Sequence, residues 1–233
     1  MIKIMSSLFI VFMSYSINSF SAENLCLPVI DINFVILTDT YNKDNKEIER
    51  EMRNEVYILN KYFVGANGKQ LIQFRTKGIH FYNEIKNSTC KFIEVGKTYL
   101  QYDSNYWQKL FNQCKDPVVV QQQVVNFYIY DSYSNSKGFG DKNGHGKNNG
   151  NHPYILFDWQ RLNHYEQSPE EHEMGHVLGL DHVCAPGASK SSDTNIMTSA
   201  DCGLGSGGLR NIGFSDDQIE VILENARKIN ASE

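Results

Sequence analysis

Three observations predict an α/β domain: apolar residues alternating at period two near the start, a long run at helical spacing behind them, and a second β-rich stretch in mid-chain. Ile30, Ile32, Phe34 and Ile36 alternate with Asp31, Asn33, Val35 and Leu37, which reads as a mostly buried first strand over 30–37. Beyond Asp44, the residues Ile48, Met52, Val56, Leu59 and Phe63 recur at intervals of three and four among charges. They make one amphipathic helix that runs to about Val64, where Gly65 and Asn67-Gly68 stop it. Residues 71–75 and 78–82 read as extended segments, and 104–114 as a helix carrying Trp107, Leu110, Phe111 and Cys114. Pro117 precedes a stretch rich in Val, Phe, Tyr and Ile, so 118–130 reads as the central strand. Residues 134–151, dense in Gly, Asn, Lys and Ser, read as a surface loop, and 154–159 as a short strand. A calcium loop over 141–152 is rejected, because His145 and His152 stand where oxygen ligands are needed.

With 233 residues and no internal repeat, the chain has the size of one domain. Lys and Arg number 22 against 27 Asp and Glu, and no basic block occurs, which removes the electrostatic case for nucleic acid or an anionic membrane. The expected partner is a protein or peptide substrate, met by a monomer. Met1-Ile2-Lys3, the apolar run Leu8-Phe9-Ile10-Val11-Phe12-Met13 and the small or polar residues 14–22 have the layout of a signal peptide. That run falls short of the roughly 20 apolar residues a bilayer crossing needs, so no stable membrane insertion is expected. The expectation is a signal over 1–22 and one domain over 23–233, secreted, or periplasmic in a Gram-negative producer. All five cysteines, Cys26, Cys90, Cys114, Cys184 and Cys202, lie beyond that signal, which predicts two disulfides and one remaining thiol. Connectivity does not follow from the sequence. Cys184 with Cys202 and Cys90 with Cys114 are the favoured pairs, because each closes a modest loop. Cys26 is then left as an idle thiol, a further disulfide partner or a thiolate cap on a metal. Asn87-Ser88-Thr89 is a glycosylation sequon that matters only in a eukaryotic producer.

The chemistry lies further along. Ser168-Pro169-Glu170-Glu171 starts a helix in three ways: a Ser cap, Pro at the first helical position, and Glu three residues after the cap. In that helix His172 and His176 stand four apart, so both imidazoles lie on one face, a turn apart, within reach of one metal ion. Gly179 can adopt the left-handed conformation that ends a helix, and His182 follows three residues later as a third nitrogen ligand. Three neutral ligands leave zinc one open position, and a zinc-bound water has its pKa lowered to about 7. Glu173, beside the first ligand, is the carboxylate that activates this water as general base. His80, His145, His152 and His164 lie on separate segments and are not counted as ligands.

His172-Glu173-Met174-Gly175-His176-Val177-Leu178-Gly179-Leu180-Asp181-His182 resembles the HExxHxxGxxH string of metzincin zinc peptidases. The resemblance implies an α/β fold with a twisted, mostly parallel sheet, packed helices, an active-site helix below the cleft and a smaller C-terminal part ending in a helix. It implies Zn2+ as cofactor, endopeptidase activity, and a Met-turn in which Met197 of Asn195-Ile196-Met197 forms an apolar floor beneath the metal. It further implies that an edge strand near 134–151 binds extended substrate, and that the Gly-rich stretch after Met197 walls a specificity pocket. The order Cys184, Asn195-Ile196-Met197, Cys202, Phe214-Ser215-Asp216-Asp217-Gln218 is most similar to the pappalysin-like group, with the matrixins second. Ser199 stands where astacins and serralysins carry a metal-binding tyrosine, so no fifth ligand is expected there. Ser215 to Gln218 forms a capping box, and Ile219, Ile222, Leu223 and Ala226 give the last helix its apolar face. The alternative is a secreted zinc-containing binding module or toxin without general proteolytic activity. Glu173 weighs against it, because a purely structural site needs no carboxylate beside an open metal position.

Overall fold

A computed structural model describes residues 27–39, 43–90, 109, 111–130, 144–148, 150, 152–159, 162 and 170–231. Its strands are β1 (Val29–Ile36), β2 (Gln73–His80), β3 (Val125–Tyr130), β4 (Gly144–Lys147) and β5 (Tyr154–Asp158). They form one sheet in the order β2-β1-β3-β5-β4. The pairs β1/β2, β1/β3 and β3/β5 are parallel, and only the edge strand β4 runs antiparallel to its neighbour. The fold is therefore α/β with a mostly parallel sheet. Such a sheet needs cover on both faces. The alternation along β1 supplies it: Ile30, Ile32, Phe34 and Ile36 enter one apolar cluster, Val35 and Leu37 the other.

The first cluster lies under three helices, α1 (Asn45–Tyr62), α3 (Glu170–Val177) and α4 (Asp216–Ala231). Asp44 caps α1 by accepting a 2.9 Å hydrogen bond from the Glu47 N–H, a contact worth about 1 kcal/mol. Ile48, Met52, Val56 and Leu59 then bury one side of α1 against β1 and β2. In α4, Ile222, Ala226 and Ile229 do the same, and Ser215 N–H donates to Gln218 Oε1 at the helix start. The second cluster joins Tyr128, Tyr130, Tyr154 and Leu156 to Phe111, Val119, Val120 and Ile85, the last from the short helix α2 (Tyr82–Ile85). The disulfide Cys90–Cys114 borders this face, and Cys184–Cys202 lies in the C-terminal part.

Three features depart from the sequence reading. Residues 71–75 and 78–82 are not separate segments, because β2 runs through, with a register shift between Ile32 and Asn33 that leaves Lys77 as a bulge. The central strand begins at Val125 rather than 118. Asn126 binds both backbone groups of Gln121, accepting from its N–H at 3.0 Å and donating to its carbonyl at 2.8 Å, and this folds the approach into turns. Within the stretch read as a loop, 144–147 pairs with β5 as an edge strand, a case of tertiary pairing overriding weak propensity. The proposed signal, Cys26, Trp107, Leu110, His164 and the Ser168-Pro169 cap lie outside the described residues. Among those that are described, no helix is long and apolar enough to cross a membrane.

Candidate metal centre

Helix α3 ends in a left-handed turn. Gly179 has φ +86°, its N–H donates to His176 O at 3.1 Å, and Leu180 N–H reaches back to Gly175 O at 2.9 Å. This paired closure is a Schellman motif, and it reverses the chain directly after the second histidine. His182 is thereby returned to the helix face that carries His172 and His176. The three rings have centroid separations of 4.7, 5.1 and 4.7 Å, and their ligand atoms all lie within 4.8 Å of one another. Among the described residues no other trio of His, Cys, Asp or Glu side chains converges in this way.

Hydrogen bonding settles which nitrogens face inward. His172 Nδ1 lies 2.8 Å from Ile196 O and His176 Nδ1 lies 2.7 Å from Leu180 O. A carbonyl only accepts, so each Nδ1 carries the proton and each neutral ring presents an Nε2 lone pair. Those two Nε2 atoms are 3.1 Å apart. Two lone pairs at that distance repel unless a cation lies between them. Tetrahedral zinc with Zn–N near 2.0–2.1 Å would hold its nitrogens about 3.3 Å apart, so the donor set and spacing fit zinc. Burial pushes the His172 imidazolium down to about 3, with the Arg210 charge adding to the effect and the Ile196 carbonyl opposing it. Burial lowers His176 as well, against the Leu180 carbonyl. Both are thus neutral at ordinary pH, the form that binds metal. His182 is more open, with Nδ1 3.4 Å from Asp201 Oδ2, and Cys184–Cys202 ties together the segments that carry this pair.

Met197 is fully buried beneath α3. A Cβ on Gly175 would lie 2.3 Å from Met197 Sδ, so glycine at 175 lets the sulfur approach the helix backbone. The turn is closed by Thr198 N–H to Asn195 O at 2.9 Å and braced by Met197 N–H to Asn195 Oδ1 at 2.9 Å. Asn195 Nδ2 in turn donates to Gly213 O and to Gln218 Oε1, fastening the turn to the start of α4. Val183 N–H donates to Met197 O at 2.8 Å, so the strand leaving His182 runs against the same turn.

Glu173 points toward the sheet edge, where its Oε2 accepts a 2.7 Å hydrogen bond from Gly146 N–H of β4. His145, one residue earlier, pairs with Leu156, whose side chain belongs to the cluster on the far face of the sheet from α3. Burial lowers that imidazole to about 4. His80 lies on β2 and His152 just before β5, both outside the trio. The supports that the sequence reading missed are Gly146, Gly175, Asn195, Gln218 beyond its capping role, and Arg210, whose Nε–H donates to Thr198 O at 2.8 Å. Only Asn195 carried a signal, as an amide two residues before the methionine of a turn.

Solved structures similar to this one include metalloproteinases. Metalloproteinase-II from Bacteroides fragilis matches with TM-score 0.43 and 14% identity, over 85% of this chain and 53% of that one. The chain thus spans about half the length of that relative. A mutant of Tannerella forsythia promirolysin matches with TM-score 0.41 and 9% identity, over 88% of this chain and 83% of that one. No protein-family model and no curated protein matches the chain.

Proposed function

We propose that the chain is a secreted zinc-dependent endopeptidase of metzincin type, with residues 23–233 as its catalytic domain and 1–22 as a signal. The observation that carries this reading is the histidine trio, in which two Nδ1–H groups are anchored on carbonyls and the opposite nitrogens converge without protons. His172, His176 and His182 would hold Zn2+, over an apolar floor made by Met197. When bound, the ion supplies a Lewis acid that polarises the scissile carbonyl and acidifies water. Glu173 takes the proton from the attacking water and returns it to the leaving amine, a role its place beside the first ligand supports. The outer edge of β4 is the sheet edge nearest this carboxylate, and an extended peptide would add there as a further strand. Export is supported by the two disulfides, which persist in oxidising compartments.

The test is hydrolysis of a diverse quenched-fluorescent peptide library by the zinc-loaded chain. Cleavage should stop on chelation, return with Zn2+, and fall by about 10²- to 10⁴-fold in Glu173→Ala while zinc content stays the same. A folded, zinc-loaded protein that cleaves nothing would instead favour latency, a single dedicated substrate, or the binding-module reading.

A further inference from the structure

The geometry points to Gly146 as a positioning residue for Glu173: its backbone N–H holds one carboxylate oxygen and so aims the carboxylate that accepts the proton. The inference rests on Glu173 being the general base. Gly146 is 27 residues from Glu173 in sequence and belongs to another element, yet its N–H donates to Oε2 at 2.7 Å. Its register partner in β5 is Ile155, a residue of the cluster under α3, so position 146 faces the helix. The approach is backbone to backbone. A Cβ at 146 would lie 1.9 Å from the Glu173 carbonyl oxygen and 2.6 Å from its carbonyl carbon. No side chain fits without parting β4 from α3, and glycine is accepted here although it weakens a strand.

An ionised carboxylate accepts through both oxygens, and a glutamate on its two-methylene stem turns freely between them. A charge-assisted bond from a fixed amide removes that freedom. With Oε2 held by Gly146, the carboxylate is aimed before the proton arrives. As water attacks the substrate carbonyl carbon, its O–H bond breaks and the proton goes to the Glu173 carboxylate. As the C–N bond then breaks, the same proton moves from the carboxylate to the departing nitrogen, and the carboxylate is restored. Such pre-orientation acts on the rate of the step rather than on substrate affinity. Because β4 is also the outermost strand of the sheet among the described residues, the strand that would receive the peptide is the one that aims the base.

The experiment replaces the Gly146 amide by an ester, introducing glycolic acid through segment ligation, which deletes the N–H and adds no bulk. Expected is a kcat lower by about 10- to 100-fold with KM and zinc content unchanged, the size of one charge-assisted hydrogen bond. In a Glu173→Ala background the ester should lower the rate no further. A second arm is independent of activity: in 15N-glycine-labelled protein, the Gly146 amide resonance should move in Glu173→Ala more than that of any other glycine. An ester enzyme with wild-type kcat, where Glu173→Ala is inactive, overturns the positioning role and leaves the base reading intact. An active Glu173→Ala enzyme overturns the base reading and this inference with it. If the ester protein does not fold, an unmoved Gly146 resonance in Glu173→Ala overturns the inference by itself.

Discussion

Helix α1 runs 18 residues from an aspartate cap and buries one side, whereas α3 runs eight and buries six, two of them glutamates. The first obeys local rules. It has an apolar stripe, a cap, and exposed pairs such as Glu49 with Arg53 at 2.7 Å. The second has no stripe to speak of, and its position is set by what meets it. Met197 lies under Gly175, Gly146 lies against Glu173, and Glu55 of α1 hydrogen-bonds Glu170. The contrast separates a helix that holds the fold from one the fold holds.

Removing one of the proposed ligands should bring out that contrast most strongly. His176→Ala is expected to abolish stoichiometric zinc binding by the folded protein while the far-ultraviolet circular dichroism stays near wild type, because α1 and the sheet do not depend on the metal. A global loss of structure in this variant would show that α3 and the scaffold are one cooperative unit. Gly175→Ala drives a methyl into Met197 and should cost about 1–3 kcal/mol in chemical denaturation, whereas Lys46→Ala on the exposed side of α1 should stay within about 0.5 kcal/mol. Equal costs would erase the distinction.

The smallest effect is at the seam between the helices. Burial, reinforced by the charge of Glu51 and opposed by the hydrogen bond to Glu170, raises Glu55 to about 8. A carboxyl raised on folding binds a proton that the unfolded chain releases. Its contribution to stability is complete below its ordinary value of 4.5 and is lost as pH rises through about 8. Between pH 5 and 9 the Tm of Glu55→Gln should fall less than that of the wild type. Parallel profiles would mean that Glu55 is ionised in the folded protein.

The same contrast governs what could be read in advance. The periodicity of Ile48 to Phe63 located α1 to within two residues at each end, and the alternation from Ile30 located β1 equally well. The histidine spacing marked the residues that converge, because helical geometry and a glycine turn are local properties. Strand β4 was not legible in the residue pattern, although the resemblance implied an edge strand near it. Gly144-His145-Gly146-Lys147 has no β-propensity, and it becomes a strand only through β5 on one side and Glu173 on the other. The late start of β3 was hidden for a similar reason: Asn126 bends the chain through Gln121 by a side-chain bond that apolar pattern does not encode. Gly175 looked like a spacer inside the histidine string, since its reason is a sulfur atom 22 residues further on.

The turn after Val177 ties two assembly steps together. Leu180 closes the end of α3 with its N–H and orients His176 with its carbonyl. The residues that end the helix therefore also aim His176 and return the chain to His182. Fraying of this single turn would release His176 and His182 together, while His172 stayed anchored on Ile196. Affinity for a metal ion should then be lost as one event, and an ion held by the proposed trio would act as a latch on the helix end.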